Sequence, residues 1–110
     1  MATSVPTISS HVLDTSRGLP VAGLSIAVSR IDRAGAETAL GTVTTDHDGR
    51  APDLLGRPLE AGTYRLRFGT SEHSPFLRAM SVDIQVGDIN RSYHVPLLLS
   101  PFGLSTYLGS

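Results

Sequence analysis

Apolar and polar residues alternate along several short segments of this chain, and that alternation constrains the fold more than any other feature. The clearest case is Thr63–Phe68, where every second residue is large or apolar and arginines lie between them. Residues 24–28 and 82–86 alternate in the same way, and residues 40–45 are rich in threonine and valine. A period of two residues is typical of a strand with one face in a core. About seven to eight such strands, separated by turn residues, predict an all-β fold, a two-sheet antiparallel β-sandwich.

The most apolar segment, residues 93–99, carries a histidine. If this segment is a strand, its odd-numbered residues face the core and its other face carries His94, Pro96 and Leu98. A strand that is apolar on both faces is buried on both faces, so we expect a second subunit to cover the outer one. Pro96 cannot donate a backbone hydrogen bond, which predicts a sheet edge, a bulge or a strand end at that position.

A second histidine has the same setting near the beginning of the chain. In the segment 8–14 alternation puts Ile8 on one face and places Ser9, His11 and Leu13 on the other. His11 therefore shares a strand face with a leucine, as His94 does. A lone histidine in such a place is usually structural, whereas two in the same setting leave a functional pair and a structural pair as open alternatives.

The segment Asp46–Arg50 breaks the strand pattern with turn residues. Aspartates before a glycine also occur in calcium loops, but the remaining ligand spacing and the distal glutamate are absent, so we predict no metal. The guanidinium of Arg50 is either an ordinary solvated cation or a fork for a planar, acidic, carbonyl-rich ligand. Residues 54–60 contain many breakers and have room for a short strand only.

Composition excludes several classes of function. The sequence has 110 residues, a formal net charge of −1 and no cysteine. Disulfide scaffolds and cysteine nucleophiles are therefore excluded, and nothing in the charge favours nucleic acid or an anionic membrane as a partner. No apolar run approaches the roughly 20 residues that cross a bilayer, and residues 1–6 lack the features of a secretory signal. We expect a flexible lead-in over residues 1–7, one domain over residues 8–110 and a cytoplasmic location.

Several segments together resemble one known family, the transthyretin-related 5-hydroxyisourate hydrolases. The resemblance spans nearly the whole chain in the right order, and both ends are specific signatures. The segments that carry it are Ser10–Gly18 with Pro20, Asp48–Arg50, Gly62–Phe68 and Tyr93–Gly103.

The resemblance implies a prealbumin-like (transthyretin-like) sandwich that assembles into a homotetramer, a dimer of dimers with active sites in a channel between the dimers. It also implies hydrolysis of 5-hydroxyisourate, the unstable product of urate oxidation, to 2-oxo-4-hydroxy-4-carboxy-5-ureidoimidazoline, without a cofactor. One alternative is a non-catalytic transthyretin-like module that binds or carries a small molecule. Another is a plain structural sandwich, in which the histidines and Arg50 would be dispersed.

The resemblance also implies roles for individual residues. It makes His11, Arg50, His94 and Ser110 catalytic, and it gives substrate binding to His11, Arg50, Tyr107, Gly109 and Ser110. Two departures accompany it. The family signature ends Tyr-Arg-Gly-Ser, whereas this chain has Leu108 in the arginine position. The segment 69–81 is shorter than in family members, which carry a short helix there.

Overall fold

A computed structural model describes residues 5–109 of the chain. Ten strands and no helix lie within that range. The strands are β1 (Ile8–Asp14), β2 (Leu19–Pro20), β3 (Ser25–Ile31), β4 (Glu37–Thr44), β5 (Arg50–Ala51), β6 (Gly62–Phe68), β7 (Met80–Val86), β8 (Tyr93–His94), β9 (Leu97–Ser100) and β10 (Gly103–Thr106). The predicted all-β class is confirmed. The strands outnumber the seven to eight expected because several have only two residues, too few to show alternation.

The strands form two sheets. The first sheet has the order β10-β9-β1-β2, with β5 and β8 also paired to β1, and the second has the order β4-β3-β6-β7. The second sheet is antiparallel throughout. The first sheet is also largely antiparallel, but β1 runs parallel to β8 and β9, two pairings that the sequence did not predict. Alternation reports which face of a strand is buried and carries no information on its direction.

The core lies between the sheets, where the predicted apolar faces meet. Tyr64, Leu66 and Phe68 of β6 are buried, and Ile8 and Val12 of β1 lie opposite them in the same cluster. The arginines of β6 point to the other face, as predicted. Burying one large side chain of this kind contributes about 1.5–3 kcal/mol to folding, which makes the alternating faces the main determinant of the fold.

Residues 93–99 do not form one continuous strand. The segment is interrupted between β8 and β9 at Val95 and Pro96, which confirms the strand end predicted from the proline. His94 and Leu98 lie partly buried on the outer face, as expected, but Pro96 is buried rather than on that face. Its carbonyl oxygen accepts a hydrogen bond from the Thr106 hydroxyl at 2.8 Å. The interruption of the strand at Pro96 ends the alternation from which the outer-face position of this residue was predicted.

Two connecting segments also differ from expectation. Residues 54–60 contain no strand, because Asp53 Oδ1 accepts hydrogen bonds from the backbone N–H groups of Leu55 and Gly56 and turns the chain away from the sheet. The short strand is β5, immediately before this turn. Residues 69–79 contain turns and no helix, in keeping with the shortened segment noted in the sequence.

The beginning of the described chain is tied to the first sheet. Thr7 donates a hydrogen bond from its hydroxyl to Asp53 at 2.6 Å, and its carbonyl oxygen accepts one from the backbone N–H of Tyr93 at 2.8 Å. The extent of a flexible lead-in and the boundary of the domain at residue 8 stay predictions. Within residues 5–109 there is no helix with the length and apolar character needed to cross a membrane.

Candidate active site

Strand β1 brings together three residues that are far apart in sequence. Its register with β5 places His11 beside Arg50, and its register with β8 places Ser9 beside His94. Side chains on neighbouring positions of paired strands share a face, and Ser9 and His11 are two residues apart on β1. The predicted histidines and the predicted arginine therefore meet on the outer face of the first sheet. We call this group, with Ser9, the histidine cluster.

A tight turn holds the backbone of Arg50 at this face. The Asp46 carboxylate accepts hydrogen bonds from the backbone N–H groups of Asp48 at 2.9 Å and Arg50 at 3.0 Å. The Asp46 backbone N–H in turn donates to the Arg50 carbonyl at 2.9 Å. The bond from the Arg50 N–H is the main reason why the pKa of Asp46 lies below its usual value, since it stabilises the charged form. An ionised Asp46 therefore fixes the position from which the guanidinium extends.

Gly49 is required by the same turn. It has a positive φ of 74°, and a Cβ added to it would lie 2.5 Å from the carbonyl oxygen of Val12. That carbonyl and its strand cannot withdraw, because the Val12 N–H donates to the Gly49 carbonyl at 2.8 Å. Only glycine combines this conformation with so close an approach, which is the physical reason for an Asp-Gly-Arg sequence here.

His11 is anchored through one ring nitrogen. Its Nε2 lies 2.9 Å from the carbonyl oxygen of Asp48. Because a carbonyl can only accept, we assign the proton of the neutral ring to Nε2, an assignment that follows from the partner. The other nitrogen, Nδ1, then carries the free lone pair.

His94 is held by a side chain of the neighbouring strand. Its Nδ1 lies 2.9 Å from the Ser9 hydroxyl oxygen, in a partly buried contact. Burial lowers the pKa of His94 below its usual value, and electrostatic repulsion from a protonated His11 and from the Arg50 guanidinium lowers it further. The ring is therefore neutral near pH 7. A neutral imidazole is the form that can accept a proton.

The last described residue, Gly109, lies against His94. The backbone N–H of Gly109 donates to the His94 carbonyl at 2.7 Å, and these two residues form an isolated antiparallel bridge. A Cβ on Gly109 would lie 2.8 Å from Cδ2 of the His94 ring, so glycine is required here by close approach. Ser110, predicted as catalytic and substrate-binding, lies outside the described residues.

Tyr107 and Leu108 lie on a different feature. Both side chains are more than half exposed, and they line an apolar groove of about 320 Å³ at the open edge of the sandwich. The opposite wall of the groove is formed by Val82 and Ile84 of β7, and Val95 lies within it. Leu108 thus lines the groove, and Gly109 is the described residue of this segment that approaches the His94 ring.

The turn that carries Arg50 also gathers three groups able to bind a metal. The ligand atoms of Asp46, His47 and Asp48 lie within 4.8 Å of one another, and all three residues are exposed. The Asp46 carboxylate, however, already serves the backbone of the turn through two hydrogen bonds. These contacts account for Asp46 as a turn residue, and the absence of a metal stays a prediction.

Ser9, the residue that contacts His94, was not predicted from the sequence. Alternation did place Ser9 on the same face as His11. What it could not supply is the parallel register between β1 and β8, which joins residues 85 positions apart. A hydroxyl on the face that carries a predicted catalytic histidine is the signal that could have singled it out.

The histidine cluster has the parts needed for proton transfer next to a developing negative charge. A neutral imidazole can take a proton from water, and the guanidinium of Arg50 can offset the charge that forms on a carbonyl oxygen as water attacks it. No carboxylate of the described residues forms an ion pair with Arg50, so its charge is available to a ligand bound on this face.

Comparison with known proteins agrees with the fold. A 5-hydroxyisourate hydrolase of Caulobacter vibrioides is 40% identical over 114 residues, which cover 94% of this chain and 97% of that protein. The structure of Klebsiella pneumoniae 5-hydroxyisourate hydrolase superposes with a TM-score of 0.81 at 32% identity, covering 96% of this chain and 99% of that one. Sea bream transthyretin in complex with thyroxine superposes with a TM-score of 0.83 at 28% identity, covering 93% of each chain.

The match to a family model extends over residues 8–109, which include every strand and the whole histidine cluster. Because the match covers residues 8–109 and a relative is 40% identical over 97% of its length, the chain belongs to the HIUase/Transthyretin family.

Proposed function

We propose that this chain is a cytoplasmic enzyme of urate degradation that hydrolyses 5-hydroxyisourate to 2-oxo-4-hydroxy-4-carboxy-5-ureidoimidazoline. The observation that carries the proposal is the convergence of His11, Arg50 and His94 on one outer face. It is supported by relatives with the corresponding name, which match at about 40% identity over nearly the full length of both chains. A plain structural module would have no reason to bring these residues together.

His94 acts as the general base. Its Nε2 takes a proton from a water molecule while the water oxygen forms a bond to a ring carbonyl carbon of the substrate. The carbonyl oxygen gains negative charge, which the Arg50 guanidinium stabilises. The ring C–N bond then breaks, and the proton held by His94 passes to the departing nitrogen. A positioned base contributes about 10²–10⁴ in rate, which is useful for a substrate that also decays spontaneously.

His11 orients the substrate in this scheme. Its Nε2–H is committed to the Asp48 carbonyl, which leaves Nδ1 to accept a hydrogen bond from a substrate N–H or O–H. The assignment of the base to His94 is supported by its burial, which is the first cause that lowers its pKa and keeps this ring neutral. Gly109, Tyr107 and Ser110 are kept as substrate-binding residues on the family resemblance, with Ser110 also assisting catalysis; of these, Tyr107 lines the apolar groove and not the histidine cluster.

The active enzyme is a homotetramer, a dimer of dimers. Leu13 of β1 and Leu98 of β9 lie side by side on the outer face of the first sheet, next to the histidine cluster. A second subunit over these leucines would exclude water from the cluster, and low dielectric strengthens the interaction of Arg50 with a developing charge. β7 and β10 each end a sheet and offer edges for pairing between subunits.

One observation favours a second function. The apolar groove beside Tyr107 and Leu108 is a place where a carrier could bind an apolar ligand, and the fold is shared with a transthyretin. A carrier would bind a small molecule and leave it chemically unchanged. Activity therefore separates the two functions directly.

The test generates 5-hydroxyisourate with urate oxidase and follows its ultraviolet absorbance with and without the protein. We expect catalytic amounts of the protein to accelerate the decay, and we expect acceleration to survive dialysis against a metal chelator. His94→Asn, which lacks a base, should lose most of the acceleration. An unchanged decay at micromolar wild-type protein would exclude the hydrolase and favour the carrier.

A further inference from the structure

The ring of His94 is fixed from two sides. Ser9 Oγ lies 2.9 Å from Nδ1, and the backbone of Gly109 lies so close to Cδ2 that a Cβ there would come within 2.8 Å of it. Nδ1 and Cδ2 are the two ring atoms bonded to Cγ. Contacts on both of them set the plane of the imidazole and leave the edge formed by Cε1 and Nε2 facing away from the strand.

The Ser9 contact has two possible directions, and they have opposite consequences. If the hydroxyl donates to Nδ1, the proton of a neutral ring sits on Nε2, and the outward edge cannot take a proton. If Nδ1–H donates to the hydroxyl, Nε2 carries the lone pair. Once the ring has accepted a proton, both nitrogens carry hydrogen, so Nδ1–H must then donate to Ser9. The hydroxyl is thus the acceptor in the base-competent state and in the protonated state alike.

Other contacts of Ser9 do not oppose this direction. The hydroxyl makes no second side-chain hydrogen bond within residues 5–109, so its own hydrogen is left to point toward the outer face, where a water or a substrate oxygen can accept it. The titratable and charged groups that face His94 are His11 from β1 and Arg50 from β5. The Arg50 guanidinium, and His11 when it is protonated, disfavour a cationic His94 ring, which makes a neutral acceptor on Nδ1 the group that can stabilise the transferred proton.

We propose that Ser9 is a positioning residue for the hydrolysis: it holds the proton of His94 on Nδ1 and so directs the Nε2 lone pair at the water that attacks the substrate. The inference rests on the proposed function and extends it by a residue that acts through His94 without moving a proton to or from the substrate.

The test compares Ser9→Thr with Ser9→Val. The two side chains have the same shape and the same strand preference, and they differ by the hydroxyl. Ser9→Val should lower kcat by about ten- to a hundredfold with little change in KM, because a ring that swings or adopts the other tautomer is misplaced for the attack. Ser9→Thr should recover most of the loss. Ser81→Val, which puts the same β-branched residue at an exposed position of strand β7, is the matched control and should leave kcat unchanged.

The pH profile separates positioning from mere packing. Without an acceptor on Nδ1 the imidazolium of His94 is less stable, so the ring stays neutral to lower pH. The acid limb of kcat in Ser9→Val should therefore move to lower pH relative to Ser9→Thr, while the plateau falls. A variant that only loosens the packing lowers the plateau and leaves the limb in place. Equal kcat values for the threonine and valine variants would overturn the proposal.

Nitrogen-15 NMR of the imidazole groups tests the tautomer without any substrate. We expect His94 in the resting wild-type protein to carry its proton on Nδ1, and we expect Ser9→Val to lose that preference. A proton on Nε2 in the wild type would overturn the proposal even if the enzyme is active. The expected tautomer in a protein that leaves the decay of 5-hydroxyisourate unchanged would support the role of Ser9 in holding the ring and would exclude the hydrolase.

Discussion

Both sheets carry an arginine on the outer face, but the partners of the two arginines differ. On the second sheet Arg65 makes a two-pronged ion pair with Asp83 at 2.7 and 3.0 Å and a further hydrogen bond to Glu37 at 2.9 Å. On the first sheet Arg50 lies beside two histidines and has no carboxylate partner in the described part of the chain. On the second sheet carboxylates neutralise the charge of Arg65, whereas on the first sheet the charge of Arg50 stays available to a ligand.

The pKa values follow the same division. The carboxylates of Asp83 and Glu37 raise the pKa of Arg65, and Arg65 lowers that of Asp83, as expected for a pair that stabilises its own charges. On the first sheet burial and neighbouring cations lower the pKa of His94, a combination that destabilises a charge. Groups that oppose one another's ionisation are typical of functional sites, whereas mutually stabilising pairs are typical of structural surfaces.

The largest difference should appear when each arginine loses its charge. Arg50→Gln should lower kcat/KM by about 10²–10³, because a donor aimed at a developing oxyanion is worth about that much. Arg65→Gln removes the same charge from an exposed surface network and should leave kcat/KM unchanged, with a small loss of thermal stability. Steady-state kinetics on both variants check the comparison. Equal effects on activity would mean that the histidine cluster is not the active site.

The outer faces should also differ in what covers them. Leu98→Asp puts a carboxylate among partly buried apolar residues of the first sheet, where an unpaired buried charge costs several kcal/mol, on the order of 3–5, once a subunit covers it. Ser81→Asp puts a carboxylate on the second sheet, where it lies opposite Arg67 and stays exposed. Light scattering at micromolar concentration should show that Leu98→Asp dissociates the tetramer and that Ser81→Asp does not. A monomeric wild-type protein would contradict the assignment of the interface.

The sequence was sufficient to predict which face of each strand is buried, but it was insufficient to predict which strands pair. Burial of alternate residues in β1, β6 and the 93–99 segment follows from a period of two, which is a local property. The parallel pairing of β1 with β8 and β9 is not local, since the entire second sheet lies between them in the chain. The strand end at Pro96 was predictable because proline lacks an N–H, but its burial depends on the packing around the kink.

The same limit applies to the candidate site. His11, Arg50 and His94 were recognised by resemblance to a family, and alternation alone showed only that both histidines share a face with a leucine. Their convergence, the Ser9 contact and the close approach of Gly109 all depend on register between distant segments. The positive φ of Gly49, in contrast, belongs to the local Asp-Gly-Arg turn and was marked by the sequence, whereas its close approach to Val12 of β1 was not.

A smaller effect is expected where this chain departs from the family signature. The side chain of Leu108 lines the apolar groove, and none of the groups proposed to move protons lines it. Leu108→Arg should therefore change kcat or KM by no more than about one to two decades, the range of a single charged hydrogen bond. Kinetics on the purified variant decide the point. Activity that appears only in Leu108→Arg would make the wild type a carrier.

The smallest expected effect is the contribution of the histidine cluster to stability at different pH values. The pKa of His94 is lower in the folded protein than its ordinary value near 6.5 in the unfolded chain. At pH values between these two pKa values the unfolded chain binds a proton at His94 that the folded chain does not bind. Stability therefore falls as the pH drops below about 6.5 and levels off once the folded ring is also protonated. Thermal denaturation of wild type and His94→Asn from pH 7.5 downward should show a steeper loss in the wild type, since asparagine does not titrate. Parallel curves for the two proteins would mean that His94 is more exposed to water than its position between Ser9 and Gly109 implies.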